Sequence, residues 1–304
     1  MTRISPLVAA FFAAVLGFAQ GASAASGVPV SVITTVEAQK NAPPPNVTED
    51  DILVSQNKRH MQVTGFAPMR NQGGLQLWLL IDDGSATSLG SQLADLREFV
   101  RQQPSTTQIG IGYMRNGSVA VVQPLTADHD LAAKAMRLPI GMPGISASPY
   151  LALTELIHKW PATPEAREVL MVSSGIDPDY GSGPDNPYLT RAIDTAQRAA
   201  VVVYSIYYPN AGHLGRSYRR INWGQNYLSQ LSEETGGEFY WQGDHAPVSL
   251  TPYLDGMNRR LNEQYLLTFL AEPEHKAGFQ RIKLSTEVPH VGLAGPAKVY
   301  VPRP

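Results

Sequence analysis

The hydrophobic positions of this 304-residue chain fall into two alternating patterns, short continuous apolar runs and stretches of helical spacing. The first strong run is Leu75-Gln-Leu-Trp-Leu-Leu-Ile81, too short to span a membrane, and it predicts a strand buried on both faces. Leu89, Leu93, Leu96 and Val100 then recur at helical spacing. Arg167 to Val172 and Val201 to Tyr207 repeat the strand pattern. Leu153, Leu156, Ile157 and Trp160 predict one helical face, Leu189, Ile193 and Ala196 a second, Tyr227, Leu228 and Leu231 a third, and Leu250, Leu254, Met257 and Leu261 a fourth. Asp128 to Arg137 reads as a short helix. Strand followed by amphipathic helix, repeated, predicts an α/β doubly wound, mostly parallel sheet. Gln108 to Met114 and Val119 to Val122 flank an Asn116-Gly117 turn, so one edge of that sheet is expected to be antiparallel.

Outside this core the period changes to two. Gln264 to Leu270, Phe279 to Ser285 and Ala297 to Val301 read as strands, as do Val47 to Val54 and His60 to Phe66. A small β module built from N- and C-terminal strands is expected. Val28 to Val36 is β-prone, and Asn41-Ala-Pro-Pro-Pro-Asn46 is a stiff extended linker that cannot be helical. The expected organisation is therefore a leader over 1–24, a Pro-rich segment over 25–46, a β lead-in over 47–72, the α/β domain over 73–263 and C-terminal strands over 264–304.

The leader follows from order along the chain. A charged start, an apolar run from Leu7 to Phe18 and the small-residue motif Ala22-x-Ala24 match a secretory signal cleaved after Ala24. A secreted or periplasmic location is expected. The sequence has no cysteine, which excludes both disulfides and a lipid anchor on a lipobox cysteine. Formal net charge is -2 with acids and bases interspersed, so no nucleic-acid partner is indicated, and no later stretch is long enough to span a membrane. Oligomeric state is not encoded in any recognisable pattern.

The candidate chemistry lies where the first strand hands over to its helix, in Asp82-Asp83-Gly84-Ser85-Ala86-Thr87-Ser88. Such a turn sits at the carboxyl end of a central strand, where open α/β sheets bind ligands. Asp83, Ser85 and Thr87 have the Asp-x-Ser-x-Thr spacing that can aim one carboxylate and two hydroxyls at a hard cation. The same hydroxyls could simply cap the helix. The pattern resembles the metal-ion-dependent adhesion site of von Willebrand factor type A domains, and the chain over most of 47–301 is similar to their secreted bacterial VWFA-related subfamily.

That resemblance implies Mg²⁺ or Ca²⁺ on Asp83, Ser85, Thr87 and Ser146, with Ser148 the alternative to Ser146 and Asp82 the ligand in a shifted register. It also implies a departure. Ser174 stands where the type A strand ending Thr-Asp-Gly carries its aspartate, so the site is degenerate and metal binding weak, unless Asp177 or Asp179 compensates. Arg216, Tyr218, Arg219 and Arg220 form a second candidate, an exit loop able to hold an anionic or aromatic ligand.

The function implied is an exported binding module that recognises a protein or cell-envelope ligand at the carboxyl edge of its sheet, and not an enzyme. No Gly-x-Ser-x-Gly elbow, His-Glu-x-x-His, Walker lysine or cysteine nucleophile occurs, and the seven histidines are scattered without metal-ligand spacing. Gly110 and Gly112 do not begin a dinucleotide fingerprint, because Arg115 stands in place of its third glycine. The alternatives are a metal-assisted hydrolase on Asp82 and Asp83 and a metal-free scaffold in an envelope assembly. The leader reading gives a first prediction: the intact mass of exported protein corresponds to a chain beginning at Ala25, and a mass retaining residues 1–24 overturns it.

Overall fold

A computed structural model describes residues 27–38, 46–69, 74–142, 147–163, 165–241 and 243–303. The leader, residues 41–45 of the Pro-rich linker and Ser146 lie outside the described residues.

The centre is a six-stranded sheet. Four of its strands are parallel and consecutive in space: β5 (Leu75–Asp82), β6 (Thr107–Arg115), β8 (Ala166–Ser173) and β9 (Val201–Tyr207). β10 (Phe239–Tyr240) joins them in parallel, and β7 (Ser118–Thr126) closes the other edge antiparallel, giving the order β10-β9-β8-β5-β6-β7. Asn116 and Gly117 both take positive φ in the β6–β7 turn, as a two-residue hairpin requires.

Alternate side chains of β5 enter different cores. Leu77, Leu79 and Ile81 pack with α1 (Leu93–Arg101), α2 (His129–Ala135) and α6 (Thr251–Asn262), whereas Trp78 and Leu80 pack with α3 (Pro149–Lys159), α4 (Pro187–Arg198) and α5 (Tyr218–Thr235). Both faces are covered, which is why the strand reads as an unbroken apolar run. Gly110 is required here, since a Cβ would stand 2.6 Å from the Trp78 ring.

Element boundaries moved where capping, not periodicity, decides them. The segment expected to open α1 is instead a 3-10 turn, Thr87–Gln92, with no side-chain cap. Arg137 lies beyond α2, which ends at Ala135. α5 begins at Tyr218 with Ser217 as its N-cap, so Arg219 and Arg220 belong to its first turn and not to the preceding exit loop.

The β module is a sandwich of two four-stranded sheets, β13-β1-β11-β4 and β14-β12-β2-β3. Its strands are β1 (Val28–Ala38), β2 (Ile52–Gln56), β3 (Arg59–Met61), β4 (Val63–Pro68), β11 (Gln264–Ala271), β12 (Gly278–Thr286), β13 (Val291–Ala294) and β14 (Lys298–Val301). Lead-in and C-terminal strands pair as expected, β2 with β12 and β4 with β11. His60 to Phe66 is divided between β3 and β4, and β13 was not anticipated. β1 is the larger difference: the β-prone piece before the linker is an 11-residue strand in the middle of a sheet, pairing with β11 and β13. Val32, Val54, Leu267, Phe269 and Ile282 fill the space between the sheets.

The sandwich is tied to the α/β core by a buried polar contact. Gln264 Nε2, at the start of β11, donates to Glu168 Oε1 of β8 at 2.6 Å and to the Tyr204 hydroxyl at 3.0 Å. Glu168 Oε2 has no partner. Burial pushes the Glu168 carboxyl up to about 8, against smaller opposing effects of the Gln264 hydrogen bond and the Arg260 charge. A folded-state value above the ordinary 4.5 means that the folded chain holds a proton that the unfolded chain has released. Stability from this group is therefore complete below about pH 4.5 and is lost as pH rises through 8. Midway between these values, near pH 6, its slope approaches about 1.4 kcal/mol per pH unit, and it falls to about half of that at pH 8. Urea midpoints of wild type and Glu168→Gln test it. The variant should lose most of that slope and exceed wild type at pH 8.

Candidate functional site

Five segments meet at the carboxyl edge of the sheet. They are the turn after β5, the α2–α3 connection, and the loops after β8, β9 and β10. The β5 turn is locked to the β9 exit by Ala86 N–H on Pro209 O and Ala211 N–H on Gly84 O, at 2.9 and 2.8 Å, with Ser85 and Asn210 bridged between them.

Asp82 and Asp83 have separate surroundings. Asp82 ends β5, buried, and accepts from Ser173 Oγ at 2.7 Å and from Gly84 N–H at 2.8 Å. Burial raises its carboxyl to about 6, outweighing those two hydrogen bonds; neighbouring Asp83 adds to the rise. Asp83 is held by Arg137. The guanidinium spans both oxygens, Nη1 to Oδ1 at 2.7 Å and Nη2 to Oδ2 at 2.8 Å, and Ile140 N–H adds a third contact at 3.3 Å. The Asp83 side chain is 1% exposed, against 40% for Arg137.

Arg137 is itself positioned on several sides. Its guanidinium lies 3.8 Å from the centre of the Tyr113 ring, and Nη1 also donates to Leu138 O. The Tyr113 hydroxyl accepts from Arg137 N–H and donates to Arg137 O, at 2.7 and 2.5 Å. The Asp83 hydrogen bonds raise the Arg137 pKa above its ordinary value, against a smaller opposing effect of burial.

The remaining candidates are distributed around this pair. Ser85 is buried, and its Oγ has no hydrogen-bond partner; the buried Asn210 Oδ1 has none either. Thr87 is exposed at the start of the 3-10 turn. Ser148 is buried and donates to Asp177 Oδ2 at 2.8 Å. Asp177 also accepts from Asn186 Nδ2 and from the backbone of Asp179 and Tyr180. Ser174 is buried under α5, where a Cβ on Gly224 would stand 2.4 Å from Ser174 O. Arg216, Tyr218 and Arg219 are exposed and Arg220 half-buried on the same edge.

A Mg²⁺ or Ca²⁺ ion of the kind the resemblance implies needs several anionic oxygens with free lone pairs facing one point. The residues present do not fit it. Both oxygens of Asp83 are taken by a cation already in the protein, and those of Asp82 and Asp177 by neutral donors. Ser174 supplies no charge. Among the described residues no group of three or more His, Asp or Glu side chains could hold a metal. The unpartnered oxygens of Ser85 and Asn210 are neutral and cannot replace the missing carboxylates. Sequence spacing missed Arg137 because it lies 54 residues from Asp83, and Asn210 because nothing local marks it.

The strand order with its single antiparallel edge makes the central unit a doubly wound, mostly parallel α/β sheet, to which the antiparallel sandwich is added. No protein-family model matches the chain, and no curated protein does. Among solved structures it is similar to an aerotolerance-related membrane protein from Bacteroides fragilis, with 12% identity and a TM-score of 0.44 over 62% of this chain and 99% of that one. A von Willebrand factor type A structure from Catenulispora acidiphila gives 10% and 0.46 over 90% and 73%. The ArnB paralog VWA2 from Sulfolobus acidocaldarius gives 10% and 0.41 over 89% and 76%. These likenesses transfer no residue roles. No helix among the described residues is long and apolar enough to cross a membrane.

Asp177 organises the loop after β8 through four donors, so its removal strands two buried side chains and two backbone N–H groups. Asp177→Ala should lower stability by about 2–5 kcal/mol, read from the denaturant midpoint, with the Asn variant intermediate.

Proposed function

We propose that this chain is an exported protein-docking module whose docking face is the carboxyl edge of its central sheet. The observation that carries the reading is the distribution of exposed apolar side chains. Of the ten large hydrophobic residues exposed among the described residues, Leu138, Ile140, Met142, Tyr180, Tyr218, Trp241 and Val248 belong to this edge. Scattered surface hydrophobics are ordinary, but seven of ten at one end of a molecule indicate a surface that another protein covers. Aromatic and methionine side chains are enriched at such interfaces.

Charge narrows the partner. Arg216 and Arg219 are exposed beside Tyr218, and among the described residues no acidic side chain forms a salt bridge with either. A partner segment that carries apolar side chains flanked by acids suits this edge. The leader supports meeting that partner in the periplasm or outside the cell. The reading requires no catalysis: Asp82 and Asp83, the carboxylates a metal-assisted hydrolase would use, are both engaged by protein donors.

A photo-crosslinking residue placed at Met142 tests the face, with Lys283 on the sandwich as control. In intact envelopes Met142 should give a discrete adduct that Arg216→Glu together with Arg219→Glu weakens at least tenfold. Equal crosslinking from Lys283, or none from Met142, overturns the assignment.

A further inference from the structure

We infer that Arg137 is a built-in cation that takes the place of an exchangeable metal ion at the carboxyl edge, so that the site is held together without one. The guanidinium meets the requirement that a divalent ion would otherwise meet there. It neutralises a carboxylate that is almost completely buried, contacts both of its oxygens, and draws in a separate chain segment. An unpaired buried carboxylate is strongly destabilising, and a bidentate guanidinium is the side chain best shaped to compensate it.

The support behind Arg137 shows that the contact is built and not incidental. Tyr113 fixes the residue three times, through ring, N–H and carbonyl, and Tyr113 itself is fully buried in β6. The cation therefore cannot leave by a rotamer change without losing the aromatic stacking and exposing Asp83. A surface ion pair between two mobile side chains has no such framework.

Its second effect is on the chain that carries it. Asp83 receives Ile140 N–H on its carboxylate and Met142 N–H on its carbonyl, the latter at 3.1 Å. Together with Arg137 these contacts pin residues 137–142 across the edge as a strap, and the exposed Leu138, Ile140 and Met142 are mounted on it. In the sequence the strap is a helix end followed by a glycine-proline stretch. In the structure it is a platform fastened by one aspartate.

Thermal unfolding with and without divalent ions tests the inference directly, and its outcome does not depend on whether the docking reading holds. Wild type should show no change in Tm with Mg²⁺, Ca²⁺ or Mn²⁺ up to on the order of 10 mM, well above the weak end of extracellular sites. Arg137→Met leaves Asp83 uncompensated, lowering Tm by roughly 5–15 °C. Asp83→Asn in the Arg137→Met background removes the buried charge, so the double variant should unfold above the single one and ignore metal. Hydrogen exchange at the Ile140 and Met142 amides should accelerate at least tenfold in Arg137→Met, which reports loss of the strap even if the fold persists. A metal-dependent rise in wild-type Tm that Asp83→Asn abolishes overturns the inference. Equal effects of Arg137→Met with and without Asp83 overturn it as well.

Discussion

Burial of β5 on both faces is the constraint from which the rest of the molecule follows. A strand whose side chains enter two cores carries few polar groups in its middle, so Leu77 to Ile81 are apolar and fully or nearly fully enclosed. Polarity is confined to the ends, to Gln76, which accepts from Trp160 Nε1 at 2.6 Å, and to the turn. Two carboxylates thus arise where the strand meets the loops of the sheet's carboxyl edge. Asp82 is satisfied by its neighbours in the sheet, Ser173 on β8 and the Gly84 backbone. Asp83 faces outward from the sheet edge and has to find a cation. The architecture of the carboxyl edge is largely the solution to that need.

Much of this was readable in the sequence, and the part that was not is physically specific. Periodicity identifies β5 and the apolar faces of α3 to α6 because burial acts on residues two, three and four apart. It also locates the acidic turn. It does not say what each acid touches, since that depends on which distant side chain arrives opposite it. Arg137 looked like the last residue of a helix, yet α2 stops at Ala135, where Met136 turns into extended backbone. The guanidinium is thereby released toward Asp83. Tyr113, spaced as an ordinary core residue of β6, gives no local sign that its hydroxyl organises a segment 24 residues away.

The β module shows the same division. Alternation of apolar residues marks β2, β4, β11, β12 and β14, whereas the place of β1 was not evident because its partners lie more than 220 residues further on. A strand that precedes a Pro-rich linker reads locally as an appendage. Register with β11 from Val28 to Thr35 makes it a structural member of the sandwich. Glu168 and Gln264 then bind that sandwich to the sheet by a contact in which a buried carboxyl is kept neutral, the arrangement expected where a charge would be left uncompensated.

A fixed cation and an exchangeable one have different consequences for a binding surface. A metal ion with an open coordination position attracts a ligand acid directly, so affinity follows the ion's concentration. Arg137 spends both of its forward-facing nitrogens on Asp83 and stacks on Tyr113, which leaves it little to give to a partner. Its contribution is geometric. By fastening residues 137–142 it orders Leu138, Ile140 and Met142 before any partner arrives, and the entropy of immobilising that segment is then absent from the binding step. In the proposed docking role, attraction of an acidic partner falls instead to Arg216 and Arg219 on the neighbouring loop and helix start. In that role pre-organisation and electrostatic steering, which a metal site combines in one atom, are divided between Arg137 and this second pair of arginines.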